Sequence, residues 1–364
     1  MPPHGGDARL TQPMHTVAGG SALNTATHLS SLIKHFRMGP TNSEGTLTDQ
    51  SHGNRTLVNL QTVINENDEY GRLIISHARE HRFTLINRRI SSNPSCYYGT
   101  NEAMLHSGRA EKSTGHCAVI VSHGDRSFMT HLGCMEDFRG YDILTNTPDP
   151  QTSTHQHQHV HIAGYYNISG FWNGELSKKL VDMRNKQSNL TVSLVTQQDA
   201  TNKWDGGLMD VLQYVDFLIL SEVEAQNIVQ YKCNIDAETD ELAMIEFASK
   251  FFHKHSPETY IIVTRGSKGA VVLYGGKCVS SQATTRTIDK PVDATGAGDS
   301  FAAGFIYGLH SFWADGTEDN YGKVGMDAIK NGLGFGCANG TCCVMVQGAS
   351  VPSSKRSIEQ MLSG

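Results

Sequence analysis

Six short apolar runs, rich in β-branched residues and alternating with helix-patterned stretches, limit the fold more than any other feature of the chain. They are CAVIVS (117–122), HVHIAG (159–164), TVSLVT (191–196), VDFLIL (215–220), YIIVT (260–264) and GAVVLY (269–274). Their length and valine content favour strand over buried helix. Between them, ELAMIEFASKFF (241–252) sets Leu242, Ile245, Ala248 and Phe252 on one helical face. This alternation predicts an α/β fold, a three-layer α/β/α sandwich whose central sheet is mostly parallel and covered by helices on both sides.

A chain of 364 residues is long enough for one large domain of this type. Residues 1–364 are expected to form a single domain, with the polar, turn-rich stretches 38–55 and 145–158 as surface loops or insertions. Net charge is −6 and Lys/Arg clusters are short, so no nucleic-acid surface is expected. No apolar run reaches the roughly 18 residues of a membrane span, and the first residues lack the apolar core of a signal peptide. The eight cysteines contain no C-x-x-C pair and read as reduced thiols of a cytoplasmic protein.

The stretch VDATGAGDSFAAGF (292–305) carries the chemistry. A helix mouth leaves backbone N–H groups unpaired and partly positive, and glycines let a phosphate approach them closely. Gly296, Ala297 and Gly298 therefore read as an anion cradle, with Asp299 as the first helical residue. A carboxylate there can take a proton from an attacking hydroxyl. Asp299 as a plain N-terminal helix cap is the alternative at this point.

VDATGAGDSFAAG resembles the C-terminal signature of the ribokinase-like (PfkB) family of sugar and nucleoside kinases. The resemblance implies that Asp299 is the catalytic base and that the amides of Gly296, Ala297 and Gly298 form the anion hole. It also implies ATP and Mg²⁺, and admits a monovalent cation such as K⁺ at Asp293 and Thr295. GGSALNTA (19–26) resembles the family's N-terminal signature, so Gly19, Gly20 and Asn24 are implied to bind substrate hydroxyls. VTRGSKGAVVLY (263–274) is similar to the nucleotide turn, implicating Thr264, Gly266 and Gly269. FGCANGTCCVMVQGA (335–349) is similar to the helix over the adenine, implicating Asn339. TGHCAVIVSHGDRSF (114–128) and SLVTQQDATNKW (193–204) also find counterparts.

The chain departs from the family at two places. Residues before Gly19 show no convincing strand, and Asp7 lies too close to Gly19 to replace the substrate-binding acid expected there, so the first strand and the lid are expected to be reduced or missing. In LSEVEA (220–225) Ser221 stands where the family has Asn. Glu224 keeps the expected Glu, implied to orient Mg²⁺ through water, with Glu222 able to share the role. An ordinary helix start is the alternative reading of this turn.

Other patterns point elsewhere. His155, His157, His159 and His161 alternate along an extended segment and suit a loop entering a strand better than a metal site. Cys342 and Cys343 read as core, and GLGFGCANG (332–340) lacks the strand and acid of a dinucleotide loop. Asn167 follows a strand, either reaching substrate or forming a turn.

The first expectation is thus an ATP-dependent kinase acting on a hydroxyl of a small sugar. A nucleoside kinase of the adenosine or inosine kind is the second, and a ligand-binding member with impaired catalysis is the third. The partner is a small molecule, and a homodimer is compatible with the family.

Overall fold

A computed structural model of the chain describes residues 13–36, 58–88, 97–98, 112–122, 125–144, 158–187, 189–233, 241–282, 288, 290–314 and 324–363. The loop 38–55 lies outside these residues, as do Asp7, His155, His157 and all of 145–158 except Gln158.

In chain order the elements are α1 (Ser21–Phe36), β1 (Asn59–Thr62), α2 (Glu69–His81), β2 (Thr84–Asn87), β3 (Tyr97–Tyr98), β4 (His116–Ser122) and β5 (Asp125–His131). Next come β6 (Gln158–Ile162), α3 (Glu175–Lys186), β7 (Leu190–Val195), α4 (Leu208–Leu212), β8 (Phe217–Ser221) and α5 (Glu222–Cys233). The chain then forms α6 (Glu241–His255), β9 (Tyr260–Thr264), β10 (Ala270–Tyr274), β11 (Lys277–Gln282), α7 (Ala297–Ala314), α8 (Met326–Cys343) and α9 (Lys355–Leu362).

The large sheet runs β11-β10-β9-β8-β7-β6, with β6 to β9 parallel and β10 antiparallel to both neighbours. All six apolar runs are strands. Alternate side chains explain their unbroken hydrophobicity. Leu218 and Leu220 of β8 and Ile261 and Val263 of β9 face a core shared with α3, α5 and α6, including Leu180, Ile228 and Phe252. Phe217, Ile219 and Ile262 point the other way, onto Phe301, Phe305 and Leu309 of α7 and Leu333 of α8. Both faces are buried, as a parallel sheet with helical crossovers requires.

A smaller sheet, β1-β2-β3, shares a separate core with α1 and α2. β4 and β5 form an antiparallel ribbon outside both sheets, with Val119, Phe128 and Met129 exposed. Residues 13–20 carry no strand. Among the described residues no helix is long and apolar enough to cross a membrane.

α7 and α8 pack closely because small residues line their contact. A Cβ on Gly308 would lie 2.6 Å from the Asn331 carbonyl oxygen, and one on Gly336 would lie 2.9 Å from the Phe301 ring. Forcing bulk into such a seam costs about 1–3 kcal/mol. Gly308→Val is therefore expected to lower the unfolding free energy by that amount, read as a lower urea midpoint, and an unchanged midpoint would show that the helices separate freely.

Candidate active site

Four parallel strands end at one edge of the sheet, and the loops after them carry the residues that sequence analysis singled out. After β6 comes Gly164, in the left-handed region at φ 71°, then Asn167, whose amide donates to Gln197 Oε1 at 2.8 Å in the loop after β7. The loop after β7 is closed by Asp199, buried, which accepts from the backbone N–H groups of Thr201, Lys203 and Trp204 and from the Thr201 hydroxyl.

β8 leads directly into α5. Ser221 N–H donates to Glu224 Oε2 at 2.7 Å, and Glu224 N–H donates to Ser221 Oγ at 3.2 Å. This reciprocal pair is a capping box, which starts α5. Burial raises the Glu224 pKa, opposed by the Ser221 N–H and hydroxyl. One carboxylate oxygen is thus committed to the cap. Glu222 lies 3.8 Å from Arg265 in a partly buried ion pair.

β9 ends at Thr264, in register with Ser221 on β8. The following turn has Gly266 at φ 55° and Gly269 at φ 85°, ψ −132°, a conformation open to glycine alone. The Arg265 N–H donates to the Gly269 carbonyl at 2.8 Å and closes the turn onto β10. A Cβ on Gly266 would meet nothing within 4 Å.

The turn before α7 is built from three parts of the chain. Asp293 Oδ1 accepts from the Thr295 N–H and Oδ2 from the Gly348 N–H, at 2.9 and 3.1 Å, clasping the start of the turn to the segment after α8. Gly296 then takes φ 79°, and its carbonyl accepts the first helical bond, from Ser300 at 2.8 Å. Helix α7 begins at Ala297, so Asp299 is not its first residue, as expected from sequence, but the third. The left-handed Gly296 starts the helix two residues earlier. The Ala297 N–H leans on the Ala294 carbonyl at 3.3 Å, leaving Gly296 and Gly298 as the principal amides at the helix mouth. A Cβ on Gly298 would meet nothing within 4 Å, as at Gly19 and Gly20.

Helix α1 closes the site from the other end of the sequence. Ser21 Oγ donates to Asp299 Oδ1 at 2.6 Å, and Asn24 Nδ2 donates to Asp299 Oδ2 at 2.7 Å. Asn24 is buried, and its own Oδ1 has no hydrogen-bond partner among the described residues. Such a buried acceptor is costly unless something donates to it, which suits a ligand hydroxyl. Burial pushes the Asp299 pKa up to about 6, with the Ser21 and Asn24 bonds acting against it and Glu224 adding to it. A carboxylate tuned to about 6 is ionised yet basic near neutral pH. The arrangement combines an open, glycine-lined anion cradle, a poised carboxylate and a hydroxyl acceptor.

Not every expected residue converges there. Asn339 is buried in α8, where its amide donates to the Ser300 carbonyl at 2.8 Å while Ser300 Oγ donates back to the Asn339 carbonyl at 3.0 Å. It ties α8 to α7, because the helices approach too closely there for its amide to face an open cavity. His159 and His161 share one face of β6 and bond Thr191 and Ser193 of β7. Burial pushes the His161 pKa down to about 4, and among the described residues no cluster suited to a metal is found. Cys342 and Cys343 are core, their thiols pushed up to about 11 and about 12 by burial. Sequence analysis missed Ser21 and His28. Ser21 follows the Gly-Gly pair three residues before Asn24, so helical spacing puts both on one face. His28 Nε2 lies 3.0 Å from the Ala349 carbonyl, against the turn.

Known proteins resemble this chain in sequence and in fold. Residues 105–356 match the family described as pfkB family carbohydrate kinase. An adenosine kinase of Schizosaccharomyces pombe is 22% identical over 247 residues, 67% of this chain and 66% of that protein. An adenosine kinase of Saccharomyces cerevisiae is 31% identical over 209 residues, 54% and 55% of the two chains. The chain thus spans less than two thirds of the length of these curated relatives. A ribokinase structure from Giardia lamblia superposes with a TM-score of 0.67 at 16% identity, covering 97% of this chain and 94% of that one.

Proposed function

The chain belongs to the pfkB family of carbohydrate kinases, and from that premise we propose that it transfers the γ-phosphoryl group of ATP to a hydroxyl of a small sugar. One observation carries the reading. Two stretches far apart in sequence, 19–26 and 292–305, meet through the Ser21 and Asn24 bonds to Asp299.

In the mechanism, Asp299 takes the proton of the acceptor hydroxyl late in a loose transition state. The amides of Gly296 and Gly298 steady the charge on the transferring group, while the Ala297 N–H stays on the Ala294 carbonyl. Gly19 and Gly20 let the sugar lie against backbone, and Asn24 Oδ1 accepts from one of its hydroxyls. Thr264, Gly266 and Gly269 line the nucleotide side, and Asn167, bonded to Gln197, borders the acceptor side. The family implies a divalent metal, for which Mg²⁺ fits: it retains waters and binds mainly through phosphates, so Glu224, already bonded to Ser221, would hold it through water. Bound there, it neutralises phosphate charge. Asp293 and Thr295 shape the turn, and their oxygens are the ligands proposed for a K⁺ ion.

A nucleoside acceptor is the second reading, favoured by the two adenosine kinase relatives. Both readings use a sugar hydroxyl and the same base. An ADP-release assay over ribose, fructose, adenosine and inosine separates them, with turnover expected on at least one. Tight binding by calorimetry with no ADP from any acceptor would favour the binding-only member instead.

A further inference from the structure

We infer that Ser21 is a positioning residue for the base, its hydroxyl on Asp299 Oδ1 keeping the carboxylate ionised and aimed at the mouth of α7. The inference rests on the reading of Asp299 as the base. Its ground is the geometry. Ser21 opens α1 directly after two glycines around which there is open space, and its bond to Oδ1 is 2.6 Å long. Asn24, one turn on, holds the other oxygen at 2.7 Å. Each carboxylate oxygen keeps a second lone pair, so the acceptor hydroxyl reaches the base without displacing Ser21.

The groups around Asp299 explain why the carboxylate needs these donors. Glu224, at the start of α5, acts on it with like charge. His28, further along α1, touches Ser300 next in the chain, and burial lowers its pKa, so it is neutral near pH 7. Cys343 of α8 stays a thiol, its pKa pushed up to about 12. Asp293, ahead of the turn, is held by the Thr295 and Gly348 N–H groups. Among the described residues no cation acts on Asp299. The ionised form depends on two neutral donors, and a hydroxyl donor to a charged acceptor is among the stronger hydrogen bonds.

The test is the titration of Asp299, read in the full chain by infrared difference spectroscopy as the protonated-carboxyl band absent from Asp299→Asn. Ser21→Ala is expected to move that titration up by about one pH unit, the scale of one charged hydrogen bond. Ser21→Thr, which restores the hydroxyl, is expected to return it. Ser21→Cys, similar in size with a weak donor, is expected to fall between. With an acceptor that turns over, the acid limb of kcat/KM moves equally, making Ser21→Ala about tenfold slower than wild type at pH 5.5 and closer to it at pH 8.5. Titrations that coincide in wild type, Ser21→Ala and Ser21→Cys would overturn the inference. Asp299→Asn with normal turnover would instead overturn the reading of the base, leaving the bond from Ser21 a matter of stability alone.

Discussion

Asp299→Asn is expected to lower kcat by about 10²- to 10⁴-fold, the contribution of a positioned general base, with ATP affinity nearly unchanged. The Asn side chain keeps the shape of the site. Its amide donates to Ser21 Oγ and its carbonyl accepts from Asn24, so both donors to Asp299 retain partners. What it loses is the ability to take a proton. Single-turnover kinetics beside a nucleotide-binding titration separates the two effects, and an unchanged kcat would remove Asp299 from the reaction.

The same substitution carries a stability signature with a defined sign. The folded-state pKa of Asp299 is raised from its ordinary 3.8 to about 6, burial being the main cause. A raised carboxyl contributes stability that is fully present below 3.8 and lost as pH rises through about 6. At pH 8 the wild type therefore holds a buried charge that the Asn variant lacks. Asp299→Asn is expected to melt at or above the wild type at pH 8, an advantage that disappears by pH 4. A variant slower in turnover but no less stable is what a strained catalytic group predicts.

The second large effect belongs to Gly296. Any side chain there meets two obstacles at once. Its φ of 79° disfavours L-residues, and a Cβ would lie 2.6 Å from Ala349 Cβ and 2.8 Å from the Ala349 Cα and carbonyl oxygen. Two of these three are backbone atoms, in the segment that His28 and Asp293 hold in place through Ala349 and Gly348. The neighbour cannot swing aside, so the turn must move. Displacement by about 1 Å of groups aligned for reaction costs on the order of 10²-fold. Gly296→Ala is expected to lower kcat/KM by at least that factor and to unfold at lower denaturant. Gly298→Ala, with open space in front of it, is expected to fold normally and to weaken nucleotide binding. Equal denaturation midpoints for Gly296→Ala and wild type would show that the turn tolerates the bulk.

How far the molecule was legible in sequence follows from what each segment buries. β7 to β10 stood out because most of their residues are buried, on one face or the other of the sheet, and both-face burial demands runs of Val, Ile and Leu; β6, mostly half-buried, was marked by its Val160 and Ile162. β1, with NLQT, and β11, with KCVSSQ, escaped notice because each is mostly half-buried or exposed and so carries polar residues. The turn before α7 was readable because its glycines have local reasons to be glycine. The capping box was readable too, as Ser221 with Glu224 three residues on. Asn24 was reached through the resemblance, but its bond to Asp299 was not. That contact spans 275 residues and exists only because α1 packs on α7. Ser21 was hidden for the same reason. Asn339 shows the reverse case, a residue that fits a motif yet is consumed in joining two helices.

The central claim is that a carboxylate at the mouth of α7 deprotonates an alcohol beside a phosphate held by bare amides. A crystal structure with a non-hydrolysable ATP analogue and the acceptor tests it most directly. The account predicts an Asp299 carboxylate oxygen within about 3 Å of the acceptor hydroxyl and the Gly296 and Gly298 amides on the γ-phosphate. An acceptor hydroxyl bonded elsewhere, with residue 299 remote from every phosphorus atom, would contradict it.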